Sequence, residues 1–320
     1  MRNLSWALLL LAFVSCRQEG EADKKMETIK YIERASGELK TENIPSEGML
    51  HWLYVSDTGK LTLNLLFKRK VVSALGGWYM NTRWSARRTA DFVKEHRIDM
   101  DEYAVSNVDD YKTFNEFFYR KLKAGARPIG EHLVSPADGK ILVFPTLSDV
   151  DSFFVKGSEF TLQSFLCNDE LTTKYANGSM AIVRLAPPDY HRYHFPASGT
   201  ASESVKIKGH YYSVSPLALR GSLEIFCQNK REYTTLQTTE YGDILIMDVG
   251  ATMVGSIIQT YSPGRVEKGS EKGYFAFGGS TLVLLFEAGK ISFDPDLVQH
   301  TQNGLETTIR MGENIALGNQ

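Results

Sequence analysis

The residues in this chain best suited to acyl chemistry are the hydroxyl of Ser280 behind Gly278-Gly279, two histidines three apart in PPDYHRYHFPASG (His191 and His194), and Asp138 in SPADGK. An imidazole with a pKa near neutrality can take a proton from a serine hydroxyl, and a carboxylate can steady the cation that results. The GxSxG signature of common serine hydrolases is absent. The electrophile nearest to Ser280 is instead the carbonyl of Gly279. Glycine leaves that carbonyl unshielded and tolerates strained backbone, so an N-to-O acyl shift at Gly279–Ser280 is sterically feasible. The same residues also read without chemistry, as a tight turn at Asp138, a packing histidine, and a glycine bulge before a buried strand. His-x-x-His invites a metal, but residues three apart on a strand point to opposite faces and no third ligand stands nearby, so no metal is expected. The glycines of VGATMVGSII (249–258) allow close backbone approach to a ligand or mark another bulge.

These side chains need a scaffold. After Pro128 the text breaks into short β-like runs (HLVSPADGKILVF, SMAIVRLAP, REYTTLQTT, DILIMDVG, TLVLLFE) separated by Gly, Pro and Asn/Asp. Such runs with few helices between them predict a mostly antiparallel body. Residues 26–129 favour helices instead. Ser85 can cap a helix through ARRTADFVKEHRI, and Thr113 with Glu116 spells a capping box ahead of FFYRKL, where Phe114, Phe117, Phe118 and Leu122 recur at helical spacing. The stretch from His51 to Trp84 joins leucines to Lys68-Arg69-Lys70 and carries Trp52, Trp78 and Trp84. It reads either as a core helix or as a segment lying on a membrane surface. The fold class is therefore α+β, a helical, membrane-facing N-terminal region packed on a mostly antiparallel β-rich domain.

The chain has 320 residues, 42% hydrophobic and 23% charged, with a formal net charge of -2, so no global basic field points to nucleic acid. Cys16, Cys167 and Cys227 are too few and too scattered for a disulfide framework, and buried thiols are the expectation for Cys167 and Cys227. Cys16 closes MRNLSWALLLLAFVSC, which has the layout of a bacterial lipoprotein signal and an apolar run too short to span a bilayer comfortably. Lipidation at Cys16 and initiation at Met26 are the two alternatives for residues 1–25.

From about Met26 onward the chain resembles the phosphatidylserine decarboxylase proenzymes, a self-cleaving, pyruvoyl-dependent family. The resemblance rests on FNEFFYRKLKAGARPI, SPADGKI, RLAPPDYHRYHFPASG, KGHYYSVSPLAL, NKREY, VGATMVGSIIQTY and EKGYFAFGGST, in the family's order and spacing, with GGST in place of the more usual LGST. Singly these motifs are weak, and in order they are highly specific. The resemblance implies that Asp138 orients His194, that His194 takes the Ser280 proton, and that Ser280 attacks Gly279. Ser280 then becomes a pyruvoyl group that forms a Schiff base with the substrate amine. Phosphatidylserine would lose CO2 to give phosphatidylethanolamine, a carbon–carbon lyase reaction of phospholipid biosynthesis that needs neither metal nor pyridoxal phosphate. His191 is implied as a substrate contact or as the group that protonates the carbanion.

The domains implied are 1–25 (signal or extension), 26–129 (helical, membrane-associating) and 130–320 (decarboxylase). Cleavage at 279/280 would give a heterodimer of large and small chains, with higher oligomers left open. Peripheral attachment to the cell membrane follows from the lipid substrate, with Cys16 as a lipid anchor if the signal is real. Two rival readings remain at this stage, a pyruvoyl decarboxylase of a soluble amino acid and an exported lipoprotein that keeps the fold as a binding module.

Overall fold

The computed structural model describes residues 29–42, 76–147, 161–209, 227–250, 257–276 and 280–319. Strands β1 (Lys30–Glu33) and β2 (Glu38–Thr41) form a hairpin turned at Gly37, whose φ of +71° is natural for glycine. Then come a 3-10 helix (Arg83–Arg88), α1 (Thr89–His96) and α2 (Phe114–Phe118). The β body continues with β3 (Leu133–Val134), β4 (Gly139–Phe144), α3 (Leu162–Leu166), α4 (Asp169–Tyr175), β5 (Ser179–Leu185) and β6 (Arg192–His194). It goes on through β7 (Gly199–Ala201), β8 (Val205–Ile207), β9 (Arg231–Gln237), β10 (Asp243–Gly250), β11 (Ile257–Gln259), β12 (Gly264–Val266) and β13 (Glu271–Phe275). The last elements are β14 (Ser280–Phe286), β15 (Ile291–Phe293), α5 (Pro295–Gln302), β16 (Glu306–Ile309) and β17 (Asn314–Gly318).

The described strands form an eleven-stranded sheet in the order β12-β7-β9-β10-β14-β5-β4-β16-β1-β2, with β8 on β9, and two three-stranded sheets, β11-β13-β6 and β15-β17-β3. Every pairing is antiparallel except β1 with β16. The expected α+β class with a mostly antiparallel sheet therefore holds. The hairpin β1-β2 lies inside the span expected to be helical, yet it extends the main sheet through β16. Four-residue strands give too little alternation to announce themselves, and their partner lies near the other end of the sequence.

STLVLLF does not alternate because both faces of β14 are covered. Leu282, Leu284 and Phe286 join a core with Tyr193, Phe275 and Phe293 of the small sheets, while Val283 and Leu285 pack with Phe165, Leu166 and Tyr175 of α3 and α4. Each such buried aliphatic side chain contributes about 1.5–3 kcal/mol. A separate aromatic core under the N-terminal elements joins Met80, Tyr111, Phe114, Phe117 and Phe118.

Thr113 Oγ1 accepts the Glu116 N–H at 3.0 Å, and Glu116 Oε2 reaches back to the Lys112 N–H at 2.8 Å, so the capping signal is honoured one residue early on the return bond. Ser85 does not cap α1. It is buried within the 3-10 helix, where its hydroxyl donates to Met80 O and accepts the Phe114 N–H at 2.9 Å, tying the segment to α2. Leu122 lies beyond α2, in a bridge with Tyr103. Among the described residues no helix is long and apolar enough to cross a membrane. Cys16 and residues 1–25, and residues 51–75 of the His51–Trp84 stretch, lie outside the described residues.

Candidate active site

Ser280 opens β14, fully buried, between Leu185 of β5 and Gly250 of β10. Having glycine directly across the ladder leaves the Ser280 side chain without a neighbour there, facing the small sheet and the turn before β6. Gly279, the expected cleavage partner, and Gly278 lie outside the described residues.

The group that meets Ser280 is His191. Its Nδ1 stands 3.3 Å from Ser280 Oγ, and its Nε2 stands 3.1 Å from the carbonyl oxygen of Ala186. A carbonyl oxygen only accepts, so the ring proton sits on Nε2 and Nδ1 offers a lone pair to the serine hydroxyl. Phe118 stacks on the imidazole with centroids 3.8 Å apart. Burial above all, with the Arg120 cation second, pushes the His191 pKa down to about 3, so the ring is neutral at physiological pH.

His194 occupies different surroundings. Its Nδ1 donates to Gly269 O at 2.9 Å and its Nε2 accepts from the Tyr190 hydroxyl at 3.1 Å. Burial lowers its pKa, while the Gly269 carbonyl, Glu271 and Asp138 pull the other way. The two histidines face different neighbours, as residues three apart near a strand should. Asp138 is held by Arg127, with Nη2 2.7 Å from Oδ2, and accepts the Met311 N–H at 2.8 Å; Arg127 also pairs with Glu102 at 2.8 Å. Asp138 therefore acts on His194 through its field and not through a hydrogen bond. Next to Asp138, a Cβ on Gly139 would meet Arg184 O at 2.5 Å, so only glycine lets this turn lie against β5.

Arg127, Tyr190, His194 and Met311 share the wall of a cavity of about 330 Å³, with Lys121 and Lys123 at its edge. The structure thus brings His191 to Ser280, leaves His194 on the wall of that cavity with Asp138 held by Arg127 of the same wall, and forms no hydrogen bond from His194 or Asp138 to Ser280 among the described residues. Among the same residues no group of three His, Cys, Asp or Glu side chains is arranged to hold a metal ion.

Sequence reasoning missed three groups near this site: Arg120, Tyr190, and the fully buried Lys272–Asp248 pair at 2.5 Å that joins β13 to β10. The one local signal was the charge of Arg120 directly after the aromatic run Phe117-Phe118-Tyr119. Cys167, expected to be buried, is exposed at the left-handed C-cap of α3, and Cys227 is half-buried.

Comparison with known proteins agrees with the motif order. Residues 114–317 match the family described as phosphatidylserine decarboxylase. A phosphatidylserine decarboxylase proenzyme of Fusobacterium nucleatum subsp. nucleatum is 52% identical over 291 residues, covering 90% of this chain and 97% of the relative. Proteins of the same description from Chlamydia trachomatis serovar D and Clostridium novyi are 45% and 44% identical, over 89% and 90% of this chain and 96% and 98% of theirs.

Proposed function

The chain belongs to the phosphatidylserine decarboxylase family, and from that membership and the surroundings of Ser280 we propose that it is a self-cleaving precursor whose product converts phosphatidylserine to phosphatidylethanolamine and CO2. The observation that carries the reading is the buried Ser280 hydroxyl at a strand start, bonded to a histidine whose free nitrogen is a base.

In the maturation step Ser280 Oγ adds to the Gly279 carbonyl and displaces the amide nitrogen, giving an ester. β-Elimination then releases the chain ending at Gly279 as a carboxylate and leaves dehydroalanine at 280. Water replaces the nitrogen as ammonia, and residue 280 becomes a pyruvoyl group. Asp138 and His194 are the pair assigned to this proton transfer, and the Asp138 charge favours the imidazolium that His194 would become. The Ser280–His191 bond favours a second reading in which His191 is itself the base for cleavage.

Residue 280 fits such a group. It is walled from solvent, lies across from Gly250, and among the described residues has a neutral imidazole nitrogen as its one polar side-chain contact. The pyruvoyl group supplies a carbonyl that condenses with the substrate amine and draws off the electrons left by CO2. His191, touching residue 280, is assigned to hold and move the proton at the carbon that loses CO2. The proposal involves neither metal nor pyridoxal phosphate.

Cleavage does not let the small chain go. Residues 280–319 supply β14 between β10 and β5, β16 between β4 and β1, and β17 beside β3, so the two chains remain one fold as a heterodimer. A bilayer substrate requires a docking face, and the described part of the N-terminal region offers one. Trp78 and Trp84 are 69% and 74% exposed, beside exposed Arg83, Arg87 and Arg88. We assign this face to an anionic lipid surface, with Trp at headgroup level and peripheral attachment.

The test is the intact mass of freshly purified protein with an assay on phosphatidylserine vesicles. A fragment of residues 280–320, one ammonia lighter than encoded, with CO2 release from phosphatidylserine and none from free serine, is the expected result. A folded, uncleaved chain would overturn the reading. Release of CO2 from free serine alone would move the substrate to the soluble amino acids.

A further inference from the structure

Most buried cations among the described residues are matched by carboxylates. Arg127 holds Asp138 and Glu102, Arg184 holds Glu42 and Glu306, Arg192 holds Glu271, and Lys272 holds Asp248. Arg231 has no carboxylate among the described residues but gives its donors to the carbonyls of Ser164, Phe165, Cys227 and Asn229. Arg120 is matched less completely than any of these, its hydrogen bonds among the described residues going to two carbonyls, of Phe117 and Pro188, and one hydroxyl. It is 2% exposed, no carboxylate lies within ion-pairing distance of it among the described residues, and its Nε has no hydrogen-bond partner.

Burying a charge with no ionic partner costs several kcal/mol unless other groups offset it. The surroundings show how this one is tolerated. The guanidinium lies 4.2 Å from the Tyr103 ring centroid and 4.7 Å from that of Phe117, and Nη2 donates to Tyr103 Oη at 3.0 Å and to Pro188 O at 2.8 Å. Pro188 sits in the turn between Ala186 and His191. Two residues before Arg120, Phe118 stacks on His191.

We propose that Arg120 is a positioning residue for the chemistry at residue 280: its carboxylate-free guanidinium anchors the 186–191 turn and, with Phe118, holds His191 as a neutral imidazole with Nδ1 aimed at that residue. The proposal rests on the reading of residue 280 as the reacting residue. Two separate physical effects act on one ring. The tether from Nη2 to Pro188 O fixes where the turn, and with it the Ala186 carbonyl that receives Nε2–H, can lie. The positive charge, undiluted by a carboxylate, disfavours a second positive charge on His191.

Around the ring stand Ser280 of β14, Phe118 at the end of α2, Arg120 two residues beyond it, and the turn itself, where Asp189 spends its carboxylate on the Ala186 N–H at 2.7 Å. Arg120 is the one side-chain charge among the groups that set the His191 pKa. Lysine could supply the charge but not the planar fork or the stack on two rings.

The test uses full-length precursor with 15N-labelled histidine and Ser280→Ala to prevent processing, and reads the His191 ring nitrogens by NMR against pH. With Arg120 present, His191 should stay in the Nε2–H form down to acid unfolding. Arg120→Met should let it titrate within the folded range, at least about one pH unit higher. Arg120→Lys should keep the ring neutral while the Nε2–H signal loses its single position.

In processed enzyme, the acid limb of decarboxylation should move up in pH for Arg120→Met and stay in place for Arg120→Lys. An unchanged His191 titration in a folded Met variant would overturn the proposal. So would titration of His191 in the folded range in the Lys variant, which decides the matter if the Met variant does not fold. Failure of the wild-type chain to cleave would count against residue 280 as the reacting residue but would leave the NMR comparison standing, so the two failures are distinguishable.

Discussion

His191 Nδ1 lies 3.3 Å from Ser280 Oγ, with the ring's proton held on the opposite nitrogen by the carbonyl of Ala186. Three residues on, His194 bonds to Tyr190 and Gly269 instead. One motif thus provides two imidazoles at different stations, and replacing each should have a different consequence.

His194→Ala and Asp138→Asn should accumulate uncleaved precursor. His191→Ala should give processed chains whose decarboxylation of phosphatidylserine is slower by roughly 10²–10⁴, the usual contribution of a positioned acid or base. Intact mass scores the first step and CO2 release the second. Normal cleavage in His194→Ala with none in His191→Ala would transfer the maturation base to His191.

Acid should weaken the fold through His191. Its pKa falls from 6.5 when unfolded to about 3 when folded, so between these values the unfolded chain binds more protons than the folded one. Stability from this group is complete above about pH 6.5 and declines by up to about 1.4 kcal/mol per pH unit as pH falls toward 3. Denaturant midpoints of the Ser280→Ala precursor should drop below pH 6.5, and a His191→Phe version should drop less steeply. Parallel slopes would remove His191 from the account.

Membrane attachment should depend on aromatic and basic side chains together. Burying a large apolar side chain is worth about 1.5 kcal/mol or more, so Trp78→Ala and Trp84→Ala should each lower partitioning onto vesicles roughly tenfold. Raising the salt should release the protein from anionic vesicles by screening Arg83, Arg87 and Arg88. Flotation measures both, and binding that ignores salt and both tryptophans would place the docking face elsewhere.

Much of this was legible in the sequence where a local rule and the global fold agree. Ser280 at the edge of an apolar run, the capping signal at Thr113 and the strands from Gly139 to Phe286 are examples, because turn chemistry and apolar clustering act within a few residues. What stayed hidden depends on distant partners. The β1-β2 hairpin becomes a strand pair of the main sheet through β16, Ser85 turns from cap to buried tie when α2 docks, and Cys167 is exposed through a left-handed cap. The His191–Ser280 contact was concealed for the same reason, since 89 residues separate its members.

The Lys272–Asp248 pair extends that logic to energetics. Both side chains are fully buried, Lys272 on β13 and Asp248 on β10, with Gln259 of β11 bonded to each, at 3.1 Å from Lys272 Nζ and 2.7 Å from Asp248 Oδ2. Burial pushes the lysine down and the aspartate up, each toward its neutral form, and the 2.5 Å contact opposes both shifts. β13 pairs with β6, which ends at His194 and follows His191 directly, whereas β10 pairs with β14, which begins at Ser280. The ion pair therefore pins the sheet bearing the histidines to the sheet bearing the serine.

Lys272→Met alone leaves Asp248 buried without its cation and should cost about 3–5 kcal/mol. Lys272→Met with Asp248→Leu removes both charges and should restore most of that stability, as apolar replacements of buried pairs commonly do. If the pair also sets the register between the two sheets, the double variant should fold with near wild-type stability and still cleave more slowly at 279/280. Denaturant unfolding of the Ser280→Ala background and the cleaved fraction of the otherwise unaltered chain read the two effects separately. Full recovery of both would make the pair a matter of stability alone.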